Sequence, residues 1–182
     1  MERISSVLLR AVLAVLVVTI IMVGLYYFYT HQEVRQIESL KQNMDTLHSA
    51  LLEFALATGG YYPARLNIPI KEVARSIGLN VKDPRSVTGG KDPATAADIH
   101  ESKGFCLLPS DFANPFNANE IAVMTFRGTS DYPHTPGVVL YIPLEVKRNY
   151  TTAFKIIGIG PQGPIDYVIE ESAILRRPPE KI

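Results

Sequence analysis

The sequence predicts an α+β fold in which one long N-terminal helix packs on a small antiparallel β-meander. Three observations carry that expectation: an uncharged apolar run near the start, a stripe of helical period directly after it, and short β-branched segments gathered toward the C-terminus. With 182 residues the chain has room for one ordinary domain and an anchor, but not for a second independent core.

The helix comes first. Ala11 to Phe28 reads AVLAVLVVTIIMVGLYYF without a charge, close to the roughly 20 apolar residues that a bilayer-spanning helix needs. In hydrocarbon every backbone polar group must be bonded within the segment, and a helix does this. Arg10 lies where a long cationic side chain snorkels to the interface. Tyr26, Tyr27, Phe28 and Tyr29 cluster at the other end, where amphipathic rings settle at headgroup depth. The run exceeds the core of a signal peptide and leads into bulky aromatics rather than a small-x-small site, so an anchor is expected in preference to a cleaved leader. Arg3 and Arg10 precede it, while Arg35 and Lys41 follow it, offset by Glu33 and Glu38. Charge therefore sets the orientation only weakly, and a short inner stub with a translocated domain is the simpler topology. Residues 1–30 are accordingly expected to form a cytoplasmic stub and transmembrane helix, with the C-terminal domain on the periplasmic side of an inner membrane.

Apolar residues then recur at Val34, Ile37, Leu40, Met44, Leu47, Leu51, Phe54 and Ala55, with Leu52 and Leu56 widening the stripe. Gaps of three and four are those of an α-helix with one buried face. No Pro or Gly interrupts Tyr26 to Thr58, and Gly59 with Gly60 supplies the permissive backbone that ends a helix. The prediction is a single helix from Ile4 to Thr58, whose segment 31–58 continues outside the membrane. A coiled-coil stalk produces a similar stripe over so few heptads. The breadth of the apolar surface in the last two turns instead suits burial against the chain's own sheet.

Residues 59–182 are expected to form the head. Pro69 to Ile77 reads as a short helix closed by Gly78, and Asp83 to Pro93 as loop. Asp92 and Pro93 suggest an N-cap and a first-turn proline, predicting a second short helix over Ala94 to Lys103. Strand signals follow at Glu120 to Arg127, Val138 to Pro143, Phe154 to Ile159 and Asp166 to Glu170. No helical crossover separates them, so all are expected to pair antiparallel. Residues beyond Leu175 read as a frayed tail.

The chemistry-bearing residues are sparse. Lys plus Arg and Asp plus Glu both number 18, so no global positive field exists to hold a phosphate backbone, and nucleic acid is not an expected partner. Cys106 is the lone cysteine; without a base or ligand cluster beside it, it reads as a small buried apolar residue. Gly158, Gly160 and Gly163 satisfy GxGxxG, but Pro161 and Pro164 intrude and a strand rather than a helix follows, so a turn between strands is expected. His31, His48, His100 and His134 lie far apart, and Asp111, Asp131, Asp166, Glu170 and Glu171 fall in no EF-hand pattern. No GxSxG elbow is present. No catalytic, cofactor-binding or metal-ligating residue is assigned, no cofactor is expected, and the chain reads as non-enzymatic.

Three stretches carry a family resemblance: LEFALATGGYYP from Leu51 to Pro63, LPSDFANPFN from Leu108 to Asn117, and FKIIGIGPQG from Phe154 to Gly163. Behind an N-terminal hydrophobic helix, and in this order, they resemble landmarks of the type IV pilin-like pseudopilins, above all the major pseudopilin of type II secretion. The chain departs from that family in two places. No Gly precedes the hydrophobic segment to form a prepilin peptidase site, and the family's early Glu would fall near Arg10. Pro161 and Gln162 stand where the acidic calcium loop would begin. The resemblance implies an unprocessed pilin-like subunit or assembly factor of a type II secretion or type IV pilus-type machine. Its partners would be the lipid bilayer, other pilin-like proteins or inner-membrane secretion components, and copies of itself. The alternative of a different class is a membrane-tethered periplasmic domain binding a ligand or protein through loops such as Gly128 to Pro136, which contains Tyr132, Pro133, His134 and Pro136.

Overall fold

The computed structural model describes residues 2–128 and 131–172, with side chains from residue 12 onward; the expected tail beyond Leu175 lies outside the described residues. The chain divides into two compact units between Gln36 and Ile37. Helix α1 runs from Glu2 to Ala57. Its end is a glycine cap: Gly59 and Gly60 take φ of 71° and 101°, and the Gly60 amide donates to the Ala55 carbonyl at 2.8 Å, satisfying a carbonyl the last turn leaves open.

The head comprises β1 (Tyr62–Pro63), α2 (Ile70–Ser76), β2 (Ala94–Thr95), α3 (Ala96–Glu101), β3 (Ile121–Thr125), β4 (Val139–Leu144), β5 (Tyr150–Thr151), β6 (Ala153–Gly160) and β7 (Gly163–Ser172). Five strands form one sheet in the order β2-β3-β4-β6-β7, while β1 and β5 make a separate two-stranded pair. The class is α+β as expected, but the sheet is mixed. β3 and β4 run parallel, with Val123 opposite Val139 and Thr125 opposite Tyr141. A parallel return needs no helix here: the stretch between Thr125 and Val139 is long enough, since about a dozen residues suffice to carry the chain back to the starting edge.

Alternation along the strands gives the sheet two apolar faces. Val139 and Tyr141 of β4 and Phe154 and Ile156 of β6 join the main core with Leu40, Met44, Leu47, Leu51 and Phe54 of α1. Val138, Leu140, Ile157 and Ile159 form a second cluster on the other side, covered by Phe126 and Tyr132. The helical stripe is thus buried by the chain's own head, as its breadth suggested, but it is narrower than expected. Val34 is exposed, and so are Leu52 and Leu56, the latter to 86%. At 3.6 residues per turn they point away from the line through Leu47, Leu51 and Phe54.

The second short helix is also corrected. Its N-cap is Thr95, not Asp92: Thr95 and Asp98 form a reciprocal capping box. Ala94 and Thr95 are held in a strand by β3, and the Asp92 carboxylate accepts from the Thr125 amide at 2.7 Å, so it serves the sheet instead.

Candidate functional site: the apolar surface of the first helix

A helix in water keeps its large apolar residues to one side. In α1, Val15, Leu16, Val17 and Val18 are all exposed, and they occupy successive positions that together circle the axis. Ile20, Ile21, Met22, Val23 and Leu25 continue the pattern, and Tyr26 to Tyr29 close it, with Tyr26 exposed to 73%. The threonine hydroxyls in and next to this stretch are bonded within the helix. Thr19 donates to the Val15 carbonyl at 2.9 Å, and Thr30 to that of Tyr26 at 3.0 Å, the arrangement that a medium without hydrogen-bonding partners demands. His31 meets Tyr27 edge to face at 4.3 Å. Length and composition make α1 compatible with a single transmembrane span.

The head contains the sequence's other candidates, dispersed. Gly158 and Gly160 lie in β6 and Gly163 opens β7, with Gly160 opposite Gly163 across the two-residue turn at Pro161 and Gln162. The glycines of β6 are there for close packing: a Cβ on Gly158 would come within 2.9 Å of the Met44 sulfur and 3.0 Å of Leu40, and one on Gly160 within 3.2 Å of Ile37. Strand β7 rather than a helix follows directly, so no helix N-terminus faces the turn to receive a dinucleotide. Cys106 is half-buried, donates from Sγ to the Val87 carbonyl at 2.9 Å, and burial pushes its thiol up from its ordinary value, away from the thiolate a nucleophile needs. His48 meets Glu171 at 3.3 Å and Lys155 meets Glu170 at 2.7 Å. His100, His134, Asp111, Asp131 and Asp166 are exposed and apart. Among the described residues no three His, Cys, Asp or Glu side chains converge on a common point. Tyr132 stacks on Phe126 at 5.4 Å and covers the outer sheet face, so it is occupied within the head.

All three landmark stretches are packing junctions. Tyr61 stacks on Tyr150 at 5.0 Å and Tyr62 on Phe154 at 4.6 Å, while the buried Tyr141 hydroxyl donates to the Pro63 carbonyl at 2.6 Å; burial holds that phenol well above its usual range. Asn114, overlooked in the sequence, is buried and uses its whole amide. It donates to the carbonyls of Ile121 and Pro136 at 2.9 and 2.8 Å and accepts from the amides of Phe116 and Asn117 at 2.9 and 3.1 Å. Gly137, at φ 87°, passes so close that a Cβ there would lie 2.0 Å from the Asn114 oxygen. The only trace in the sequence is an Asn-Pro pair. In addition, Asn43 of α1 donates to the Ala113 carbonyl at 2.8 Å.

Compared with known proteins, the chain matches no family model, and neither a curated protein nor a solved structure is a significant match.

Proposed function

We propose that this chain is a single-pass, non-enzymatic, pilin-like subunit or assembly factor, held in an inner membrane by residues 11–28 with its head in the periplasm. The observation that carries this reading is the division of labour within one unbroken helix. Val12 to Tyr29 is apolar at successive positions whose large side chains are exposed, whereas Leu40 to Phe54 buries a single stripe in the head. A segment of the first kind gains stability from lipid or from like helices, where van der Waals fit along the anchor drives association. The glycines of β6 that admit Ile37, Leu40 and Met44 support it further, since they seat the helix directly on the sheet. The three junction stretches in their pilin-like order supply the remaining support.

The test is crosslinking of the full-length protein in native membranes, followed by mass spectrometry of its partners and of the intact N-terminus. Pilin-like partners together with retained Met1 and Glu2 are the expected result. Pilin-like partners with a trimmed N-terminus would show that the chain is processed despite lacking a Gly before its apolar run. Recovery without any pilin-like protein would replace this reading with that of a membrane-tethered binding domain.

A further inference from the structure

A cavity of about 560 Å³ opens beside α2, and three cations line it: Lys71 and Arg75 from the helix and Lys82 from the segment that follows. Gly78, Leu79, Asn80 and Val81 complete the wall. No carboxylate among the described residues lines it. Lys71 and Arg75 stand four residues apart on one helical turn, a spacing at which like charges repel. None of the three makes an ion pair among the described residues. The acidic neighbour of Lys82 in sequence, Asp83, is committed elsewhere: Arg85 holds it at 2.8 Å and with its other nitrogen takes Glu53, also at 2.8 Å. Glu72 shares the helix with Lys71 and Arg75 but neither lines the cavity nor pairs with a cation among the described residues, so the charge on the lining itself is purely cationic, an arrangement that concentrates anions.

The geometry points to this cavity as a binding site for a phosphate-bearing anion. Arg75 supplies planar, two-pronged donors suited to phosphate oxygens, and Lys71 and Lys82 add point charges to the same lining. Asn80 adds neutral amide donors, while Leu79 and Val81 provide apolar wall beside the charged group. The phosphate is either that of a lipid headgroup or that of a free, water-soluble anion. The volume lies within the range of small-molecule sites, roughly 300–1,000 Å³.

Full-length protein in a neutral, zwitterionic-free detergent is titrated calorimetrically with sodium pyrophosphate and, separately, with dihexanoyl phosphatidic acid. The triple variant Lys71→Gln, Arg75→Gln, Lys82→Gln is compared with Lys103→Gln, Lys147→Gln, Arg148→Gln, which removes the same charge at exposed positions away from the cavity lining. Thermal unfolding of each variant verifies that the head remains folded. The cavity variant is expected to lose about tenfold or more in affinity while the control variant stays close to wild type, and raising the salt weakens wild-type binding. Binding of pyrophosphate identifies a free phosphate anion, and binding of the phosphatidic acid only identifies a lipid headgroup. Equal weakening in both triple variants, or no binding of either probe to the wild type below about 1 mM, would overturn the assignment.

Discussion

The two halves of helix α1 use similar residues under opposite rules. From Val12 to Tyr29 the large apolar side chains point in every direction and are exposed. From Leu40 to Phe54 they keep to one line, where Leu40, Met44, Leu47, Leu51 and Phe54 are fully buried. The lesson is that hydrophobicity by itself does not identify a partner. Its angular distribution does, because a sheet covers one side of a helix whereas lipid covers all of them.

Substitutions that damage one half and spare the other test that contrast. The largest effect is expected from Phe54→Ala, which empties a fully buried aromatic position and should lower head stability by about 3–5 kcal/mol. Chemical denaturation would report the loss, while membrane association of the folded protein stays unchanged. Val17→Lys is the converse. It places a charge in the middle of the exposed apolar run, and at an expected cost near 2.5–3.5 kcal/mol for insertion it should reduce integration in a translocon assay without shifting the head's unfolding midpoint. If Val17→Lys unfolds the head instead, the first half of the helix is not independent of it.

A smaller effect is expected at a site belonging to neither half. Asp98→Ala breaks the capping box of α3 and should cost about 0.5–2 kcal/mol. The Lys91 ammonium beside it, with the Thr95 amide and hydroxyl, holds the Asp98 carboxyl below its ordinary 3.8, at about 2. A depressed carboxylate contributes stability in full above its unfolded value and loses it as pH falls through the folded one. The difference between wild type and variant should therefore be constant above pH 4 and shrink between about 4 and 2 in acid denaturation curves. The smallest effect is expected from Leu56→Gln: at 86% exposure it should move stability by less than about 0.5 kcal/mol. A large loss would restore Leu56 to the buried stripe where its sequence spacing first placed it.

Much of the fold was legible because its signals are local. The uncharged run, the three-four spacing, the Gly59-Gly60 stop and the β-branched segments each act over a few residues, and α1 and the four longer strands appear near the expected positions. The mistakes share a cause. Leu52 and Leu56 were assigned to a face by composition, but only the position of the sheet decides which angle of the helix is covered. Asp92 has the side chain of a cap, yet a strand 33 residues away claims it. Strand direction likewise depends on where the loop after Thr125 returns. The cavity beside α2 was not legible either, because Lys71, Arg75 and Lys82 form no sequence motif and only the fold brings them to one concavity.

By itself the sequence determined that an apolar helix begins the chain, that it is long and uninterrupted, and that short strands follow it. Those properties depend on hydropathy, propensity and backbone freedom, which residues carry with them. Tertiary structure decided which stripe of that helix is buried, that β3 and β4 run parallel, that a Cβ on Gly158 or Gly160 would crowd the helix side chains, and what Asn114 holds together. Each of these is a relation between segments distant in the chain, and the energy of such a relation exists only once packing has brought them into contact.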